Sequence, residues 1–478
     1  MRRQLVDCAT LVGLKLATCG LVLALGFHAV SDDDFARVVI AQRWVAAPAL
    51  DPSGTSWLPF PFWLNGLAML ALGGSFGVAR GVALVTAVAS ALLVYVAARW
   101  LEVERRGALL GAAIACCIPY ACWLGVATVP DGLNAALVLF AAVAARRDGV
   151  RDRALGAAAL LAATLSRYEA WPVAAAFCAL TLWDGWRNRS WTFAAIAALA
   201  VAGPVVWMAN GFVRHADPLF FVVRVNAYRA ALGGTPASLA SALASYPLAL
   251  LRREPELATL TLVATTAALA ARQPVALTRY ARPGLALAAL LAFLVAGEIR
   301  NAAPTHHAER AMLAIWLAAA VLVGDLSART WPAIDRQWRA TAAVVTAVLL
   351  GVAAGWFRPR FANLDSFVDR RAELSIGAAC RQRATPAERL AIDTPDYGFF
   401  AVMAGFQHPE RAVALDDRDP RHPRPVDPFA DPRSLVRQLS REDATWLVAS
   451  GDHRSVAAQV GRVEVERGDL ALLRVTVQ

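Results

Sequence analysis

The sequence predicts an α-helical polytopic membrane protein with a small soluble α/β domain at its C-terminal end. Three observations predict it. The 478 residues are 58% hydrophobic and only 18% charged, with a mean hydropathy of +0.47, well away from an ordinary soluble domain. Apolar runs able to cross a hydrocarbon core of about 30 Å recur from residue 8 to residue 357. After that point they stop and short strand-like patterns begin, so residues 1–357 are expected to form a transmembrane domain and 358–478 a soluble extracytoplasmic one.

Taken in order, the apolar runs are 9–30, 75–98, 107–127, 131–145, 154–166, 170–183, 192–212, 256–271, 284–298, 310–325 and 340–357, about eleven spans. The basic residues between them fall on alternate connections: Arg99, Arg105 and Arg106; Arg146, Arg147, Arg151 and Arg153; Arg187 and Arg189; Arg272, Arg279 and Arg282; Arg329, Arg336 and Arg339. All share the side of the N-terminus. By the positive-inside rule that side is the cytoplasm, which makes this a multi-pass inner-membrane protein with a periplasmic C-terminal domain. The same pattern explains the net charge of +10 as orientation chemistry, and no nucleic-acid partner is expected.

The stretch "WLPFPFWLNGLAMLALGG" (57–74) imitates a span, but Pro59 and Pro61 interrupt its start and Gly73 and Gly74 its end. It reads as an interfacial or re-entrant segment with Trp57 and Trp63 at headgroup depth. A cleaved signal peptide ending near Ser31 is disfavoured, because the first apolar run exceeds an ordinary signal core and many spans follow. Lys15, the only lysine, is expected to snorkel from the first helix.

In the tail, "RLAID" (389–393) and "TWLVAS" (445–450) read as buried strands, and "VEVERGDLALLRV" (463–475) as a hairpin turning at Gly468-Asp469. That turn accounts for the Arg467-Gly468-Asp469 tripeptide without an adhesion role. Residues 416–433 form a Pro-rich loop. Six of the seven cysteines sit in apolar runs and Cys380 in a polar region; their spacing gives neither a disulfide framework nor a metal motif.

The functional signal lies at the span ends opposite the basic clusters. There stand Asp32, Asp33 and Asp34 in "AVSDDDFARVVIAQRW", Asp131 in "TVPDGLN", Arg167 and Glu169 in "LSRYEAWP", and His306, His307, Glu309 and Arg310 in "PTHHAERAML". Ionisable groups at the rim of a helical bundle are costly unless solvated or paired, and so are functional candidates. Bland explanations cover part of the set. Ser31 with Asp34 fits a cap for a helix beginning near Phe35, and Asp131 can cap a helix from Gly132. Arg167 and Glu169 suit an interfacial belt beside Tyr168 and Trp171, and the histidine pair lacks metal-ligand spacing. Capping needs one or two carboxylates; three in a row exceed it.

The joint pattern resembles the GT-C class of integral-membrane glycosyltransferases, near the protein mannosyltransferases and aminoarabinose transferases. "SDDDFARVVIAQRW" and "SWLPFPFWLNG" carry most of the resemblance over residues 1 to about 357, with "PDGLN" and "RYEAW" adding less. It implies inverting transfer of a sugar from a polyprenyl-phosphate donor to a lipid, glycan or protein acceptor. It also implies a first-loop carboxylate that acts as base or orients the acceptor, here Asp32 or Asp33, with Asp34 as third candidate. Asp131 takes the place of a second-loop acidic residue that helps bind acceptor or metal. A triple Asp replaces the usual acidic pair.

The chemistry suits the residues independently. A carboxylate at the wet rim can take the acceptor's hydroxyl proton, and a guanidinium can stabilise the departing lipid phosphate, Arg310 first and Arg167 second. Several acidic residues would repel the anionic phosphate unless a divalent cation lay between them, and the sequence leaves the use of one open. An apolar groove between spans would hold the lipid. The rival readings are a transporter or flippase for a lipid-linked sugar, which would place charges in mid-span, and a membrane-anchored assembly factor acting through the tail.

Overall fold

A computed structural model describes residues 2–272, 277–301, 307–334, 336–361, 367–394, 396–415, 421 and 427–476. The helices run α1 (Arg2–Ala24), α2 (Asp33–Ala46), α3 (Phe60–Leu72), α4 (Phe76–Trp100), α5 (Arg105–Cys117), α6 (Pro119–Leu124), α7 (Asp131–Ala144), α8 (Val150–Thr164), α9 (Ala170–Arg187) and α10 (Trp191–His215). They continue with α11 (Phe220–Ala231), α12 (Leu239–Arg253), α13 (Pro255–Ala270), α14 (Leu277–Ile299), α15 (Ala308–Thr330) and α16 (Arg336–Phe361). The tail adds α17 (Arg371–Arg383), β1 (Arg389–Ile392), α18 (Phe399–Phe406), β2 (Ala412–Ala414), α19 (Pro432–Arg441), β3 (Ala444–Ser450), α20 (His453–Ala457), β4 (Gly461–Arg467) and β5 (Leu470–Val475).

Every apolar run becomes helical, and among the described residues α1, α4, α10, α14, α15 and α16 are long and apolar enough to cross a membrane by themselves. The run 107–127 is broken, because Pro119 cannot continue α5 and starts α6 instead. Small residues then let backbones touch. A Cβ added at Gly324 would collide with the backbone of Gly107 and Gly111, so α15 and α5 approach more closely than any side chain would permit. The long connection 213–255 forms α11 and α12, and Ala242, Tyr246 and Ala249 of α12 join the buried core.

The basic clusters meet at one end of the bundle through specific acidic partners. Arg105 pairs with the buried Asp7, Arg146 with Glu102, Arg153 and Arg282 with Asp184, and Arg279 and Arg329 with Asp325. The opposite end carries the acidic rim.

As the proline and glycine limits require, α3 starts after Pro59 and stops at Gly73, whose φ of +92° suits glycine. The two tryptophans of the segment are half-buried: Trp63 Nε1 donates to Ala49 O, 3.4 Å away, and the Arg37 guanidinium covers the ring of Trp57, just before α3, at 4.5 Å. Lys15 does not snorkel. It is buried on the α1 face turned toward α6, where its ammonium donates to Ala121 O at 2.8 Å.

The tail sheet has the order β2-β1-β3-β5-β4, parallel through β2, β1 and β3 and antiparallel beyond. Strand alternation sends Leu390 and Ile392 toward α17 and α18, and Ala391 toward α19 and α20. The expected hairpin is β4–β5, turning at Gly468 with φ +58°. The Pro-rich loop lies mostly outside the described residues. Cys380 is buried in the tail's core, and that core also takes Val38, Val39 and Ala41 of α2 and Met69 of α3. The tail is therefore packed directly onto the helix that carries the acidic triad.

Candidate active site

The three consecutive aspartates at the start of α2 face three different environments, because helical residues lie 100° apart around the axis. The helix begins at Asp33, earlier than the sequence suggested. Ser31 is not its cap: its hydroxyl receives Nη2 of Arg310 at 3.1 Å. The helix has no side-chain cap, and Asp34 instead reaches backward to hold the turn that leads into it. Its carboxylate accepts from the backbone N–H of Val30 (3.1 Å) and Ser31 (3.3 Å), and from Thr128 N–H at 2.7 Å across the α6–α7 connection. Burial pushes this carboxyl above the usual range while the N–H donors oppose that shift. With these donors around it and no exposed surface, Asp34 holds structure. Asp34→Ala is expected to destabilise the protein by at least about 1.5–3 kcal/mol, the contribution of one hydrogen bond to a charged group. A clear fall in the detergent melting temperature checks this; an unchanged midpoint contradicts it.

Asp32 points toward the tail, where Arg370 grips it with Nε at 2.9 Å and Nη2 at 3.1 Å. Asp33 keeps the freest carboxylate. Its side chain is 39% exposed, and its hydrogen bond comes from Nη1 of Arg310 at 3.2 Å.

One turn on, Arg37 stands on the same face of α2 as Asp33, as i and i+4. It is 6% exposed, lies under the Trp57 ring, and has no hydrogen bond at Nε and no ion pair among the described residues. Burial pushes its guanidinium down to about 10, against the pull of Asp33 and Asp131, so it stays charged at neutral pH.

Asp131 is the first residue of α7 and caps nothing with its side chain. Nη1 of Arg167 lies 3.0 Å from its Oδ1, yet off the hydrogen-bonding direction, so neither carboxylate oxygen receives a hydrogen bond. Arg167 is also paired with Glu169 at 2.6 Å, and all three are largely buried, not set in an interfacial belt. The charges of Arg167, Arg310, Arg37 and His307 all reach Asp131. The structure thus gathers Asp33, Arg37, Asp131, Arg167, Glu169 and Arg310 in one cluster. Three guanidiniums face three carboxylates, an even balance that an incoming anion tips only slightly. His307 stands beside it, 3.4 Å from Glu309, and Glu309 also meets Arg253 at 3.5 Å. His306 lies outside the described residues.

Near the cluster are two small, partly open and mainly apolar pockets, with cavity volumes of about 30 and 40 Å³. The first is lined by Thr128, Pro130 and Ser166, neighbours of the charged residues just described, and by Phe60 and Asn65 of α3. Thr86, Val129 and Leu133 line both, and the second lies between α1, α4, α7 and α15 and is lined by Lys15. Among the described residues no group of three or more His, Cys, Asp or Glu is arranged to hold a metal ion.

Sequence reasoning missed Arg37 and Arg370. Arg37 carried one usable signal, its i+4 spacing from Asp33 within an otherwise apolar "VVIA" face; Arg370 carried none.

A bundle of this connectivity, with an acidic first loop, a short α3 beside it and an α/β tail, has the fold of the GT-C class of integral-membrane glycosyltransferases. It is similar to ArnT from Cupriavidus metallidurans bound to undecaprenyl phosphate, with a TM-score of 0.59 at 16% identity over 97% of each chain. It is also similar to the apo oligosaccharyltransferase of Archaeoglobus fulgidus (TM-score 0.54, 12% identity, 93% of this chain and 69% of that one). AglB from the same archaeon, in complex with an inhibitory peptide and a dolichol-phosphate, gives 0.51 at 13% identity over 93% and 69%. Family models and curated protein sequences give no match. The likeness is one of fold, and at 97% coverage it extends into the tail, beyond the first 357 residues to which the sequence resemblance was confined.

Proposed function

We propose that this chain is a glycosyltransferase that moves a sugar from a polyprenyl-phosphate donor to an acceptor hydroxyl at the outer face of the membrane, with inversion. The observation that carries the reading is the pair Asp33 and Arg37: a partly exposed carboxylate and a buried cation that forms no ion pair among the described residues, side by side on α2 near a mainly apolar pocket. Asp33 takes the hydroxyl proton as the acceptor oxygen attacks the anomeric carbon. The bond from that carbon to the phosphate oxygen breaks, and its electron pair leaves with the lipid phosphate. Arg37 receives the growing negative charge, helped by Arg310. Arg167 is a weaker candidate, because Asp131 and Glu169 already neutralise it. The free oxygens of Asp131 suit hydroxyl donors of sugar or acceptor. The prenyl chain enters the pockets nearby.

The test uses the full chain in vesicles, supplied with a polyprenyl phosphate carrying a radiolabelled sugar and with candidate acceptors. Label passing to an acceptor while polyprenyl phosphate is released supports the reading. Movement of the intact lipid between leaflets with no transfer supports a flippase and contradicts it.

A further inference from the structure

The segment immediately before α17 is laid along the segment that leads into the acidic triad. Val368 N–H donates to Ala29 O at 3.2 Å in an antiparallel bridge, Phe367 packs edge-on against Phe27 at 5.2 Å, and Arg370 N–H donates to Nδ1 of His28 at 3.3 Å. The Arg370 side chain completes the junction. Besides its two bonds to Asp32, it donates to Glu373 at 2.9 Å and Asp396 at 2.6 Å, the latter on the connection that follows β1. Burial works against this charge, and the Asp32 and Asp396 carboxylates outweigh it. Asp32 is the N-cap residue of α2, and Asp33 is the first residue of that helix. The tail's guanidinium is therefore fixed at one side to the sheet connection and at the other to the residue on which the base stands.

We infer that Arg370 is a positioning residue of the active site, supplied by the tail, which clamps Asp32 and so sets the direction of the Asp33 carboxylate. This rests on the transfer reading above. Two consequences separate the clamp from simple docking of the tail. A planar fork holding both oxygens of Asp32 fixes orientation in a way a point charge cannot, so Lys at 370 preserves docking but not aim. Without a guanidinium at 370, Asp32 is free to turn, and the residue on which the base stands loses its anchor.

The experiment measures kcat and donor KM of sugar transfer in vesicles for the wild type and for Arg370→Lys, Arg370→Gln and Arg370→Gln/Asp32→Asn. Arg370→Lys, which keeps the docking charge, is expected to lose roughly 10- to 100-fold in kcat, the scale of a misplacement of about 1 Å, with donor KM little changed. The double variant is expected to fall no further than Arg370→Gln alone, because the clamp acts through Asp32. A monodisperse Arg370→Lys protein with wild-type kcat overturns the inference. So does a folded double variant whose kcat falls well below that of Arg370→Gln. A wild-type protein that transfers no sugar at all defeats the functional reading instead, before any variant is compared.

Discussion

Asp33→Asn is expected to lower the rate of sugar transfer by about 10²–10⁴-fold, the usual contribution of a positioned general base. The amide keeps the size of the side chain and its contact with Arg310, but it cannot accept the hydroxyl proton. Stability should change little, because this carboxylate is 39% exposed and makes one hydrogen bond. The same substitution at Asp32 should act through geometry, since both oxygens of Asp32 are held by Arg370. The sequence left Asp32 and Asp33 equal as candidates; their partners separate them. Initial rates at saturating donor for the two variants check the order, and equal rates for wild type and a folded Asp33→Asn would remove the assignment.

The second large effect is expected at Arg37. Arg37→Gln should cost about 10²–10³-fold in transfer, as removal of a charge-stabilising donor does in other active sites. It should also weaken binding of the free lipid phosphate, which Asp33→Asn should not. Arg37→Lys is expected to recover only part of this, because a compact ammonium cannot present the flat face that packs under Trp57. The protein should tolerate the change. Arg37 forms no ion pair among the described residues, and its removal relieves the desolvation cost of a buried charge. Binding of undecaprenyl phosphate by each purified variant is the measurement; unchanged binding by Arg37→Gln would place the phosphate elsewhere.

Much of this fold was legible because a bilayer imposes simple rules on sequence. Apolar length gave the helices, Pro59 and Gly73 bounded α3, and strand alternation with a Gly-Asp turn gave β4 and β5. The rim's charged residues were legible as a set because ionisable groups are rare there. Their roles were not. Asp32, Asp33 and Asp34 are chemically identical in sequence and differ only through Arg370, Arg310 and Thr128, which arrive from 94 to 338 residues away. Lys15 misled for a related reason: position along a helix suggested snorkelling, while the direction of its side chain depended on the break between α5 and α6 that no local rule connects to it. Arg37 looked like an ordinary member of an amphipathic helix until α3 and Trp57 were folded over it.

The central claim is that one cavity receives the lipid, with its phosphate at Arg37 and its chain among the spans. An electron cryomicroscopy map of the full chain in nanodiscs with undecaprenyl phosphate tests it directly. The expected result is phosphate density in hydrogen-bonding range of Arg37 and Arg310, with the prenyl chain running past Thr86, Val129 and Leu133 toward Lys15. Phosphate density on another face of the bundle, more than about 15 Å from Asp33 and so beyond hydrogen-bond reach even through water, would contradict it.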